Sequence, residues 1–128
     1  MNYKGVIIEE SLEDRAILAR VRVLESKVAQ VTPRHKTPWL KQWTLDTVEV
    51  EEDDMASVAE AVSASLDRSH GGSWYADFLN ERNHYVVFRG RVFLINRRNK
   101  AGYDEAVRYG AALGIPPYQL DFSNDLIG

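Results

Sequence analysis

The sequence predicts an α+β domain: a mostly antiparallel sheet with helices packed on it. Three observations predict it. Several short stretches are rich in Val, Ile, Phe and Trp and set apolar residues at strand spacing. Two others, around Met55 to Leu66 and Tyr103 to Leu113, set them at helical spacing. Between Tyr85 and Ile95, two apolar runs meet at Arg89-Gly90, the mark of a hairpin. With 128 residues, 45% hydrophobic and 27% charged, the chain suits one core and one domain, residues 1–128.

The first element is "YKGVIIEE", where Val6, Ile7 and Ile8 follow one another. A β-branched run of this kind predicts a strand buried on both faces. Ser11 opens "SLED", with Asp14 at the fourth position, so a capping-box start and a short helix over Leu12–Leu18 are expected. The stretch 19–32 fits two periods. Leu18, Val21, Leu24, Val28 and Val31 make a helical face, whereas Val21 and Val23 alternate with Arg20 and Arg22. Its β-branched content favours a long strand in which a bulge is admissible.

Residues 33–38, bounded by Pro33 and Pro38, form a connection. The next strand, "WLKQWTLDTVEV", puts Trp43 and Leu45 on one face and Val48 and Val50 on the other, antiparallel to the strand before it. Trp43 is expected inside. The acids of "EVEEDD" precede a helix on which Met55, Val58, Ala59, Val62 and Leu66 share a face, where they favour the positive end of the macrodipole.

"SHGGS" is a turn, "WYADFLN" a strand with Trp74, Ala76 and Phe78 on one face, and "NERN" another turn. The hairpin follows, with Gly90 supplying positive φ. A last helix, about Ala101 to Leu113, turns Tyr103, Ala106, Val107, Gly110 and Leu113 inward. Gly114 stands in the C′ position, Ile115 can pack back on the last turn, and Pro116-Pro117 prevent continuation. A short final strand is admissible near Tyr118 to Phe122. The order is β-α-β-β-α-β, a ferredoxin-like start, then a β-hairpin and a C-terminal helix.

The segments "HKTPWLKQWTLDTVE", "SWYADFLNERNHYVVFRGRVFLI" and "YDEAVRYGAALGIPPYQLDF" resemble a family of small uncharacterised prokaryotic proteins. The resemblance covers most of the chain. It implies one complete protein and brings no activity, cofactor or catalytic residue.

Composition excludes several classes. Net charge is -3, so no global field favours nucleic acid or an anionic membrane. The chain has no cysteine, which excludes disulfides, thiolate metal sites and a cysteine nucleophile. No signal-peptide pattern or bilayer-length apolar run is visible, and a cytoplasmic location without membrane association is expected. The P-loop, dinucleotide-loop and GxSxG patterns are missing. Ser69, His70, Ser73 and Asp77 lie close in sequence, but a triad needs geometry that spacing does not give. His35, His70 and His84 could converge with Asp77 or Glu81, yet none has the spacing of a metal pair, so no metal and no cofactor is expected.

Two stretches remain as binding candidates. In "RHKTPWLKQW", Trp39 follows Pro38 at a strand's beginning, ringed by Arg34, His35, Lys36 and Lys41. These residues suit a protein partner or self-association, with cation–π contacts at the indole. From Arg82 to Lys100 there are six cations and no acid: Arg82, Arg89, Arg91, Arg97, Arg98 and Lys100. Tyr85, Phe88 and Phe93 are interleaved, which is the chemistry of single-strand nucleic-acid binding, with phosphates on cations and bases on rings. A solvated sheet edge explains the same cations. The sequence thus predicts a small non-enzymatic interaction module, possible homodimers included. The alternative is a nucleic-acid accessory protein using 82–100. A small enzyme would need a pocket enclosing His70, Asp77 and His84.

Overall fold

The structure, a computed structural model, describes residues 1–30, 42–67 and 74–115, apart from the Lys100 side chain. These residues form one six-stranded sheet and two α-helices. The strands are β1 Tyr3–Ile8, β2 Arg22–Gln30, β3 Gln42–Val50, β4 Tyr75–Leu79, β5 Asn83–Phe88 and β6 Arg91–Asn96. The helices are α1 Met55–Ser65 and α2 Lys100–Ala112. The sheet order is β2-β3-β1-β4-β5-β6, and every neighbouring pair is antiparallel. The α+β class therefore stands.

Directly opposed residues share a face, so the register defines two surfaces. On the first, Tyr3 opposes Val50, Gly5 opposes Val48 and Phe78, and Phe78 opposes Tyr85. α1 covers this face: Met55, Val58, Ala59, Val62 and Leu66 are fully buried and join those strand residues in the main core. On the second face, Val86 opposes Phe93 and His84 opposes Ile95. α2 covers that part with Tyr103 and Ala106, and Ile115 completes a second cluster.

The two helices thus lie on opposite faces. α2 shields the β5–β6 end of its face, while Val6 on β1 is 40% exposed. This corrects the expectation that β1 is buried on both faces: only Tyr3 and Ile7 are sealed. Trp43 does share its face with Leu45, but both are partly buried rather than enclosed. The sealed face of β3 carries Asp46, Val48 and Val50. The Trp43 ring instead leans on Trp74, with centroids 5.4 Å apart.

The first crossover also departs from expectation. In place of an α-helix over Leu12–Leu18 there are two 3-10 segments, Glu9–Ser11 and Arg15–Arg20. Asp14, not Ser11, caps the second, accepting from the Ala16 amide at 2.9 Å. The reason is non-local. Leu12 bridges to Leu66, and the Asp67 and Glu13 amides donate to the Ser11 and Ser65 carbonyls. Those bonds bind the segment to the end of α1 and leave too little free chain for a regular helix.

Local signals set the remaining joints. Gly90 has φ of 78° in the two-residue turn, with Phe88 opposite Arg91. At the end of α2, Gly114 has φ of 88°, its amide donates to the Ala111 carbonyl, and the Ile115 amide reaches the Gly110 carbonyl. That is a Schellman motif with its apolar contact, since Ile115 is buried.

Candidate functional site

β2 is an edge strand: among the described residues it pairs with β3 alone. Its sequence, "RVLESKVAQ", interleaves charge with Val and Leu and follows no period that would bury one face. Eight of its nine residues are exposed, the other being Ala29. Val23 and Leu24 are each 44% exposed and Val28 60%, so three of the six large exposed apolar residues among the described residues sit on this one strand. The strand bulges between Val23 and Glu25, then pairs regularly with β3 to Gln30. Its outer backbone groups and apolar side chains are presented together, the combination that invites another strand.

A polar network fixes the middle of β2 to the sheet. Ser26 Oγ donates to Asp46 Oδ1 at 2.5 Å, and Asp46 is buried at 1% exposure. The Glu9 carboxyl hydrogen-bonds Asp46, and its pKa is raised above the ordinary 4.5. That hydrogen bond is the main cause, followed by burial and by the Asp46 charge, while Arg15 opposes the shift. Glu10 accepts from the Thr44 amide at 2.6 Å and its hydroxyl at 2.8 Å. The β1–β3 register ends at Ile8 opposite Leu45, so the Glu10 carboxylate serves Thr44 where β1 no longer runs.

The basic segment does not form one surface. Arg89 and Arg91 sit at the β5–β6 turn, while Arg82, Arg97 and Arg98 lie at the opposite end of the hairpin. Six residues of strand separate the ends by roughly 20 Å. Arg91 lies over the Phe93 ring at 4.7 Å, and Arg97 Nη1 donates to the Asn80 carbonyl at 2.6 Å. Arg82 and Arg98 do meet, in a polar cleft of about 590 Å³ shared with Glu81, Asn83 and Asn96. The nucleic-acid alternative lacks its stacking platform: Tyr85, Phe88 and Phe93 are 9%, 0% and 8% exposed. They are core residues, and bases cannot reach their faces.

Arg34, His35, Lys36, Trp39 and Lys41 lie outside the described residues, as do His70, Ser69, Ser73 and the 118–122 stretch. The first five belong to the connection between β2 and β3.

Asp77 and His84 do come together. His84 Nε2 lies 2.8 Å from Asp77 Oδ2, and its Nδ1 lies 3.0 Å from the Tyr103 hydroxyl. The imidazole is fully buried, so it bridges β4, β5 and α2 and offers no atom to a solute. No group of three or more His, Asp or Glu that could hold a metal occurs among the described residues. No described helix is long and apolar enough to cross a membrane.

Sequence reasoning read β2 as a strand but not as a site. The available signal was its pattern: Val23, Leu24 and Val28 among Arg22, Glu25 and Lys27, with no face left wholly apolar. No family model, curated protein or solved structure matches the chain.

Proposed function

We propose that this chain is a small non-enzymatic interaction module that takes an extended segment of a partner along the outer edge of β2. The observation that carries this reading is a nine-residue edge strand, exposed along nearly its whole length, with Val23, Leu24 and Val28 open to solvent. Strand addition suits it physically. Main-chain hydrogen bonds supply affinity, and alternate side chains set register. The other edge, β6, has six residues, and α2 packs against its Phe93 and Ile95. A ferredoxin-like reading of the first four strands, a cytoplasmic location and kinship with a family of small prokaryotic proteins belong to the same proposal.

The nucleic-acid reading is the weaker one, because its rings are buried and its cations divided between two ends of a hairpin. One titration separates the readings. Backbone amide shifts are recorded by NMR with an eight-residue peptide alternating valine with lysine and glutamate. They are recorded again with a single-stranded oligonucleotide at low and high salt. The peptide should shift amides of Arg22–Gln30 and leave those of Arg82–Arg98 unchanged. Oligonucleotide shifts at Arg82 and Arg98 that vanish with salt, with β2 silent to the peptide, would reverse the choice.

A further inference from the structure

From the residue pattern of β2 we infer that the natural occupant of this edge is a second copy of the chain, paired antiparallel about a two-fold axis at Ser26. The inference rests on the strand-addition reading above and names its partner.

A two-fold axis normal to the sheet joins two copies of one edge into a continuous antiparallel pair. Opposed residues must then share a face, so residue numbers of each pair sum to an even constant. Ser26 is the midpoint of Arg22–Gln30, and centring there pairs the segment from Leu24 to Val28 with its copy. It also places Glu25 of each copy opposite Lys27 of the other, twice by symmetry. Leu24, the bulged residue, meets Val28 of the second copy, and the regular pairing ends there, because past the bulge Val23 lies on the Val48 face and Ala29 on the Trp43 face. Within one strand Lys27 Nζ lies 3.9 Å from Glu25 Oε1, and both side chains are well exposed, at 71% and 58%, so each can exchange this loose pair for the same pair across the axis.

The adjacent registers fail on charge. Centring on Glu25 sets Glu25 against itself, and centring on Lys27 sets Lys27 against itself. A charged edge ordinarily discourages pairing. Here opposite charges one residue either side of the midpoint discourage the neighbouring registers and favour the central one. The bulge at Leu24 lies outside the central Glu25–Ser26–Lys27 triplet, which is regular on β3. The Ser26–Asp46 hydrogen bond ties that triplet to β3.

The test uses charge reversal on the full chain, read by light scattering across a concentration series. The wild type should dimerise. Glu25→Lys and Lys27→Glu should each weaken self-association by about tenfold or more, because both symmetric pairs become repulsive. Mixing the two variants should restore a dimer, and so should the double variant carrying both changes. Because the chain contains no cysteine, Ser26→Cys supplies a second readout: it should oxidise to a disulfide-linked dimer, whereas Gln30→Cys should not. Circular dichroism melts establish that each variant is folded. A wild type that stays monomeric at millimolar concentration overturns the second-copy inference. So does a dimer indifferent to both charge reversals and to mixing. Peptide shifts at β2 in a monomeric protein would leave strand addition standing while removing this partner.

Discussion

The Tyr103 hydroxyl lies 3.0 Å from His84 Nδ1, joining α2 to a histidine buried within the sheet. The rings meet edge to face, with centroids 5.5 Å apart. On the far side, His84 Nε2 reaches Asp77. Tyr103→Phe keeps the ring packing and removes the hydroxyl, so it should cost about 1–2 kcal/mol through a buried hydrogen bond lost at the imidazole. His84→Ala should cost about 3 kcal/mol or more, since it also empties a fully buried site. Urea melts of both variants check the order. A Tyr103→Phe loss equal to that of His84→Ala would mean that the hydroxyl, not the ring, dominates this joint.

Gly5 marks where β1 passes closest to β4. A Cβ there would stand 2.1 Å from the Asp77 carbonyl oxygen and 2.7 Å from Phe78 Cδ1. The first obstacle is backbone and cannot rotate away. Gly5→Ala should therefore force β1 and β4 apart and destabilise by about 3 kcal/mol, the upper part of the range for overpacking. Gly90→Asn is the control, because no atom lies within 4 Å of its added Cβ and asparagine tolerates positive φ. It should stay within about 1 kcal/mol of wild type. If both variants melt alike, the close β1–β4 approach at Gly5 is wrong.

The Glu9–Asp46 pair gives stability a pH dependence of known sign. The folded pKa of Glu9 is raised above its ordinary 4.5. Its contribution is full below the unfolded value and is lost as pH rises through the raised folded value. Glu9→Gln keeps a hydrogen-bond donor for Asp46 without titrating. The Glu9 ion pair with Arg15, at 3.4 Å with Arg15 largely exposed, is a small loss. Relative to wild type, the variant should gain stability as pH climbs from about 4 towards 7. Thermal melts across that range check it, and a variant that loses stability relative to wild type as pH rises would show that the sign is reversed.

Elements with a strong local pattern were legible. The five residues assigned to the buried face of α1 are all sealed, and Gly90 and Gly114 both take positive φ at the turn and helix end where they were expected. The strand choice for 19–32 agrees with β2 over Arg22–Gln30, bulge included, whereas Ala19 and Arg20 end the second 3-10 segment and 31–32 lie outside the described residues. What failed was non-local. "SLEDRAILAR" carries helix signals, but Leu12 is bound to Leu66, and that contact cannot be read from spacing. Val6, Ile7 and Ile8 announced a strand without revealing that no helix covers Val6. Sheet order is equally invisible in a sequence, so the pattern of Arg22–Gln30 marks a strand without marking it as an exposed edge. Tyr85, Phe88 and Phe93 lie on strands that need core residues, and both faces of β5 are indeed covered, one by α1 and one by α2.

Amide hydrogen exchange along β2, recorded at low and at high protein concentration, addresses the edge most directly. Amides donating to β3 are protected at any concentration, whereas those facing outward exchange freely until another strand covers them. Outward amides within Arg22–Gln30 should gain protection as concentration rises, with those of Arg91–Asn96 on the opposite edge unchanged. If protection within Arg22–Gln30 is the same at both concentrations while Arg91–Asn96 becomes protected, association runs through the other edge and β2 is not the interaction surface.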